Sequence, residues 1–275
     1  LDPSTDSSRA VLDHYASGVV AVIEHTTPSG SAMGNFSRLM QYASSHRTEN
    51  YFSLSDQDDV WLPGKLALGM ERLKAMERNY GDAVPLLVFS DAEVVDEELR
   101  TIAPSFWRYE KLQADLCRAY KSLAIQNVGQ GCTFVFNRAL LEKVCRIPAQ
   151  ARMHDHWMML VATVFGHIDY IDAPTLKYRQ HSRNVLGSAG QQLGSAFRRF
   201  LLKRDGITAA IHASENQALA FLEEYRADLS VPEREFFEQF SRLAERSFLF
   251  RKFFCIRHAL RMSSGPRTLG LYLFI

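Results

Sequence analysis

Hydrophobic and polar positions follow two regimes along this chain. Up to about residue 185, short apolar runs alternate with stretches of helical spacing; beyond it only helical spacing remains. Ser4-Thr5-Asp6 begins a helix that carries Ala10, Val11, Leu12, Tyr15 and Ala16, and Gly18 stops it. Val19–Ile23 reads as a buried strand, residues 26–34 as a loop of Thr, Pro, Ser and Gly, and Asn35 as the cap of a helix with Phe36, Leu39, Met40 and Ala43 inward. Tyr51–Leu54 predicts a short strand that runs directly into Asp56-Gln57-Asp58-Asp59. Pro63 then opens an amphipathic helix with Leu66, Met70, Leu73 and Met76 on one face.

Further on, Leu86–Phe89 predicts a buried strand ended by Ser90-Asp91, and residues 110–126 a helix. Cys132–Phe136 is a strand behind the loop Asn127–Gly131, and Asn137 caps a short helix. Another helix begins at His154-Asp155 and runs to Gly166; the strand Ile168–Ile171 and the segment Tyr178-Arg179-Gln180-His181 follow. Two helices, roughly 192–227 and 232–262 with Pro232 at the start of the second, complete the pattern. The alternation predicts an α/β layer fold over residues 1–188 with a helical appendage over 189–275. Neither an internal repeat nor a low-complexity tract interrupts it.

Composition narrows this picture little. With 47% hydrophobic residues the chain can bury a substantial core. A net charge of +1 offers no global field for a polyanion, so nucleic acid is not an expected partner and charge arguments must be local. Cys117, Cys132, Cys145 and Cys255 form no C-x-x-C pair, which reads as a reduced, cytosolic protein with core thiols. The first ten residues are not a secretory signal and no apolar run is long enough to cross a bilayer, so a soluble protein is expected.

Three constellations could carry chemistry. In Ser55-Asp56-Gln57-Asp58-Asp59-Val60-Trp61, clustered carboxylates repel one another unless a cation or water separates them. A strand end places them where open α/β sheets bind ligands, and hard oxygen ligands there suit Mg²⁺ or Mn²⁺ holding a diphosphate. A solvated acidic turn at the start of the Pro63 helix explains the same residues. His154-Asp155-His156-Trp157 could hold a general base in a cleft, or a capping aspartate among surface histidines. Zinc through His154 and His156 is poorly supported, because residues two apart do not share a helix face. Tyr178-Arg179-Gln180-His181 with Arg183 and Asn184 could meet phosphate oxygens, or simply form a polar loop.

Taken in order, these segments resemble family 2 nucleotide-sugar glycosyltransferases of the rhamnosyltransferase-like branch. Asn35 to Leu39 resembles N-F-x-x-L, and Ser55 to Leu66 resembles S-D-Q-D-D-x-W-x-P-x-K-[IL]. Asn127 to Thr133 resembles N-x-x-x-G-C-T, His154 to Trp157 resembles H-D-x-W, and Tyr178 to Asn184 resembles Y-R-Q-H-x-x-N. The match covers roughly residues 2–187. At the front, Leu1 to Asp6 resembles D-D-G-S-T-D, with Leu1 for the first Asp and Pro3 for Gly. The segments that normally precede it are absent, so the resemblance implies a chain without the family's first strand and helix.

The resemblance implies a GT-A-like mixed sheet flanked by helices. It assigns Asp56, Asp58 and His181 to a Mg²⁺ or Mn²⁺ ion, and Asp2, Asp59 and Arg179 to the donor. Asp155 matches the catalytic base, while Gly131, Cys132, Thr133, His154 and Trp157 fall on the acceptor side. The implied reaction is inverting transfer of a sugar, L-rhamnose from dTDP-L-rhamnose, to a growing cell-surface polysaccharide or lipid-linked glycan. Two alternatives stay open: a non-catalytic glycan- or partner-binding remnant, and a metal-dependent phosphotransferase or pyrophosphatase. In the tail, Arg251, Lys252, Arg257, His258, Arg261 and Arg267 lie among Phe248, Leu249, Phe250, Phe253, Phe254 and Ile256. Such a helix suits peripheral contact with the inner face of a membrane, or packing of its aromatics on the catalytic domain.

Overall fold

The computed structural model describes residues 1–15, 20–144, 146–180 and 196–275, the stretch 196–207 by its backbone alone. Gly18, Val19, Cys145, His181, Arg183 and Asn184 lie outside the described residues. In chain order the elements are α1 (Ser8–Tyr15), α2 (Ala32–His46), β1 (Tyr51–Ser53), β2 (Val60–Trp61), α3 (Lys65–Tyr80), β3 (Leu86–Val95), β4 (Thr101–Ala103), α4 (Phe106–Tyr109), α5 (Tyr120–Leu123), β5 (Val135–Asn137), α6 (Arg138–Val144), α7 (His154–Phe165), β6 (His167–Arg179), α8 (Ala196–Tyr225), α9 (Val231–Phe240), α10 (Phe248–Arg257) and α11 (Gly265–Phe274).

Six strands form one mixed sheet in the order β1-β5-β3-β6-β2, with β4 paired to β3. β3 and β6 run parallel at its centre, and the other pairs are antiparallel. β3 is apolar over Leu86–Phe89 and almost wholly buried, as a strand covered on both faces requires. It does not stop at Ser90-Asp91. Asp91 instead sits at a register shift against β6, where Ser105 and the Trp107 amide donate to its carboxylate and relieve its burial. Asn137 locks the corner between β5 and α6. Its Oδ1 accepts from the Leu86 amide at 3.0 Å and the Leu140 amide at 3.1 Å, and its Nδ2 donates to Val84 O at 2.8 Å.

Several expected elements differ. Of the strand expected at 19–23, Val20 makes an isolated bridge and residues 21–25 are irregular; Leu1 N donates to Ile23 O and His25 N to Leu1 O. Val20 and Glu24 are exposed, so little apolar burial rewards a longer ladder. Ser31, not Asn35, caps α2, its side chain accepting from the Gly34 amide at 3.0 Å. The helix over 110–126 is replaced by a 3₁₀ turn, Ala114–Arg118, and the short α5. Extended backbone at Gln113 and Ala119 lets unevenly spaced apolar residues all reach the core. The helix over 232–262 breaks into α9 and α10 at Ser241–Ser247, where Ser247 caps α10, and α11 follows unannounced.

β1 pairs only with β5 among the described residues, leaving its other side unpaired by any described strand. The helical region is no loose appendage. Phe221 and Tyr225 of α8 lie 5.5 Å and 6.0 Å from the Trp157 ring of α7, and Phe221 packs on Phe237 of α9. These residues belong to the same hydrophobic core as Phe89, Phe134 and Phe136 of the α/β layer.

Candidate active site

The loop after β1, the turn before β5, the start of α7 and the end of β6 converge on one cluster of acidic groups. Asp56, Asp59 and Cys132 present ligand-capable atoms within 4.8 Å of one another. Asp59 is tied to the end of β6: its Oδ1 accepts from the Arg179 amide at 3.1 Å, while Arg179 Nε donates to Asp58 O at 3.0 Å. Among the described residues its buried Oδ2 has no conventional hydrogen-bond donor, with the weakly donating Cys132 thiol beside the carboxylate. Burial raises the Asp59 pKa, offset in part by Cys132 and the Arg179 amide. Asp56 is pushed up to about 6, first by burial and then by the neighbouring charge of Asp59. The cluster is therefore a place where negative charge is held at a cost and a cation or proton would relieve it.

The expected metal pair was Asp56 and Asp58; the residue that shares the ligand-capable group with Asp56 is Asp59. The reason is the backbone of β6, which fixes Asp59 inward through the Arg179 amide. His181 lies outside the described residues.

Asp155 is the most enclosed carboxylate of the site. Only 6% exposed, it accepts from the His156 amide at 2.6 Å and from the Gly131 amide at 3.3 Å. Burial nonetheless dominates and lifts its pKa to about 6, against the pull of those amides. It is no ordinary cap, since Met153 occupies the position before the helix and both flanking histidines are buried.

Those histidines diverge. His154 stacks on Phe36 of α2 at 4.1 Å between ring centroids, and neither ring nitrogen has a hydrogen-bond partner among the described residues. Burial depresses its pKa to about 4, so its ring is neutral at pH 7, and Asp56 is the charge acting against that depression. His156 points away, its Nε2 against Leu123 O, and burial holds it near 3. Gly131 explains its own identity: a Cβ there would lie 2.5 Å from His154 Nε2. The turn Gly131–Thr133 thus threads between His154 and Asp155 on one side and Asp59 on the other, with the Thr133 hydroxyl donating to Gln130 O at 2.7 Å.

Two expected residues lie apart from this cluster. Trp157 is wholly buried against Phe221 and Tyr225, with its ring in the core shared with α8, so it offers no surface to an acceptor. Asp2 binds the amide and hydroxyl of Ser29, with Arg38 Nη1 at 3.7 Å, and these groups lower its pKa.

Lys65, the lysine of the S-D-Q-D-D-x-W-x-P-x-K-[IL] segment, has no role in the sequence reading, yet the structure brings it to the site. It is 2% exposed, with Nζ 3.2 Å from Ser53 Oγ and 4.0 Å from the Trp61 ring centroid. Burial brings its pKa down to about 8, while Cys132 and Asp59 favour the charged form. The signal in the sequence is its place in that segment, two residues after Pro63 and behind Gly64, whose backbone is left-handed (φ 89°). Two cavities, of 420 and 480 Å³, lie elsewhere, around Cys117 and Asp169 and around Trp107 and Tyr170.

No family model matches the chain. Over 200 residues, 68% of this chain and 63% of its relative, it is 24% identical to the dTDP-rhamnosyl transferase RfbG of Shigella flexneri. The match thus spans less than two thirds of that protein's length. The chain is a distant homologue of a glycosyltransferase.

Proposed function

We propose that this chain carries the catalytic centre of an inverting sugar transfer from a nucleotide donor, dTDP-L-rhamnose, to a hydroxyl of a growing glycan. The observation that carries this reading is Asp155, a carboxylate enclosed at a helix start with its pKa raised to about 6. A base must be ionised at working pH yet hold a proton well enough to take one, and burial brings Asp155 toward that compromise. The distant likeness to a dTDP-rhamnosyl transferase supports the donor.

In this reading the acceptor oxygen attacks the anomeric carbon as the bond to the diphosphate breaks. Asp155 takes the hydroxyl proton. Neutral His154, stacked on Phe36, keeps the surroundings of Asp155 free of a competing positive charge and excludes water from it. The amides of Gly131 and His156 hold the carboxylate in one orientation.

Mg²⁺ or Mn²⁺ fits the oxygen donors of Asp56 and Asp59, with the buried Oδ2 of Asp59 and the charge of Asp58 beside them. When bound, the ion would supply positive charge against the departing diphosphate. Cys132 is a poorer fit, because burial pushes its thiol pKa well up and a soft thiol suits neither hard ion. Arg179 would add fixed positive charge at the rim, and Lys65 would hold the acidic loop in place.

Titration calorimetry with dTDP-L-rhamnose, with and without Mn²⁺, tests the reading together with a transfer assay. Donor binding that requires the metal, and turnover that falls by roughly 10²–10⁴-fold in Asp155→Asn, are expected. Donor affinity unchanged by chelator, or phosphate release without any acceptor, would overturn it.

A further inference from the structure

The two last helices each leave large apolar side chains exposed. On α10, Phe248, Leu249, Phe253 and Ile256 are 59%, 78%, 57% and 67% exposed, and on α11 Leu269 and Leu273 are 60% and 61% exposed. This is not the core-facing side of α10, which buries Phe254 and Cys255 and is already occupied. The helices are joined: Lys252 Nζ donates to Ile275 O at 3.0 Å and the Tyr272 hydroxyl to Cys255 O at 3.0 Å. At helical spacing, Phe248, Leu249, Phe253 and Ile256 share one side of α10 with Lys252, whose ammonium lies 4.6 Å from the Phe248 ring.

Charge selects the occupant. Between residues 242 and 275 there are seven lysines and arginines and a single acid, Glu245, in a chain whose net charge is only +1. Arg242, Arg246 and Arg257 are exposed on or beside α10, and Arg261 is exposed after it, 3.8 Å from Asp115. A second copy meeting this face symmetrically would set the basic residues against themselves. An anionic bilayer satisfies both features, because it offers an apolar interior below a negative surface. No described helix is long and apolar enough to cross a membrane, so the contact would lie in the interface plane.

We infer that α10 and α11 form a docking surface for anionic phospholipid bilayers, with Phe248, Leu249, Phe253 and Ile256 reaching the acyl boundary and the arginines meeting the headgroups. Lys252 stays tied to the carbonyls that end α11, so the headgroup contacts fall to the arginines. This inference is independent of the sugar-transfer reading, since vesicle binding is measured without donor or acceptor.

The test is sedimentation of the full chain with vesicles of phosphatidylglycerol and phosphatidylcholine, beside vesicles of phosphatidylcholine alone. Binding to the anionic vesicles is expected, falling steeply as salt rises from about 0.05 to about 0.5 M. The double change Leu249→Glu and Phe253→Glu should lower it by about tenfold or more, with circular dichroism and thermal midpoint unchanged because both residues are exposed. Leu249→Ser with Ile256→Ser is the milder pair, and should weaken binding in the same direction. Equal binding to both vesicle types, binding to neither, or a wild-type dimer that these changes make monomeric would overturn the inference.

Discussion

The acidic cluster and the α10–α11 face depart from the usual arrangement of a globular protein in opposite ways. In the first, carboxylates and a histidine are taken out of water; in the second, phenylalanine, leucine and isoleucine are left in it. Each arrangement sacrifices stability, because a buried charge loses hydration and an exposed apolar side chain gains nothing from folding. The costs differ in kind. Burial at Asp56, Asp59 and Asp155 is visible as raised pKa values, whereas exposure at Leu249 and Ile256 leaves no trace in the folded state until a partner arrives. A strained interior is therefore tested by removing charge, and an idle surface by adding it.

The largest effect should come from Asp155→Asn. Transfer should fall by roughly 10²–10⁴-fold, the usual contribution of a positioned base, with donor binding retained in calorimetry. If turnover survives, the enclosed carboxylate is merely structural and the contrast with the surface face weakens. Within α10 the contrast can be drawn one residue apart. Phe254→Ala should cost about 3–5 kcal/mol in chemical denaturation, since Phe254 is fully packed against Phe236, Phe240 and His258.

The pH dependence of stability is the next effect. Asp155 binds its proton up to about pH 6 when folded but only to its ordinary 3.8 when unfolded, so the folded chain holds the extra proton between these values. Its contribution to stability is present below pH 3.8 and lost as pH rises to about 6. His154 and His156 act oppositely: folded pKa values of about 4 and about 3, against 6.5, favour folding as pH rises toward 6.5. Removing the Asp155 proton leaves the histidines unopposed. Across pH 4 to 6, Asp155→Asn should therefore gain stability on the wild type by about 2 kcal/mol, read from urea midpoints. A constant difference would show that Asp155 titrates normally.

Asp56→Asn should weaken metal-dependent donor binding by about tenfold or more while raising thermal stability, because it removes both a ligand and a repulsive charge. Phe253→Ala should be the smallest effect, within about 0.5 kcal/mol in denaturation, since its ring is already solvated. Set beside Phe254→Ala, it measures directly how differently the two faces of one helix are used.

Local patterns were legible wherever their cause is local. The apolar core of β3, the acidic segment after β1, the start of α7 at His154 and the cap at Asn137 all follow from spacing and turn chemistry within a few residues. Boundaries failed where a distant partner decided them: β3 continues past Ser90-Asp91 because β6 offers it a parallel neighbour to Arg179. The expected strand at Val19–Ile23 is reduced, over its described residues, to one bridge where such cover is missing.

The sequence by itself determined that Asp56, Asp58 and Asp59 cluster after a strand and that His154, Asp155 and His156 stand together at a helix start. Only the tertiary structure decided which of them meet. Asp59 turns inward on the amide of Arg179, 120 residues away, and Asp155 is held by Gly131 from the turn before β5. His154 meets Phe36 and the site while His156 meets Leu123, and Trp157 is claimed by α8. The physical reason is that burial and pairing belong to the assembled layers: a side chain's spacing along the chain sets its direction, but the element packed against it sets its solvent, its hydrogen bonds and its charge.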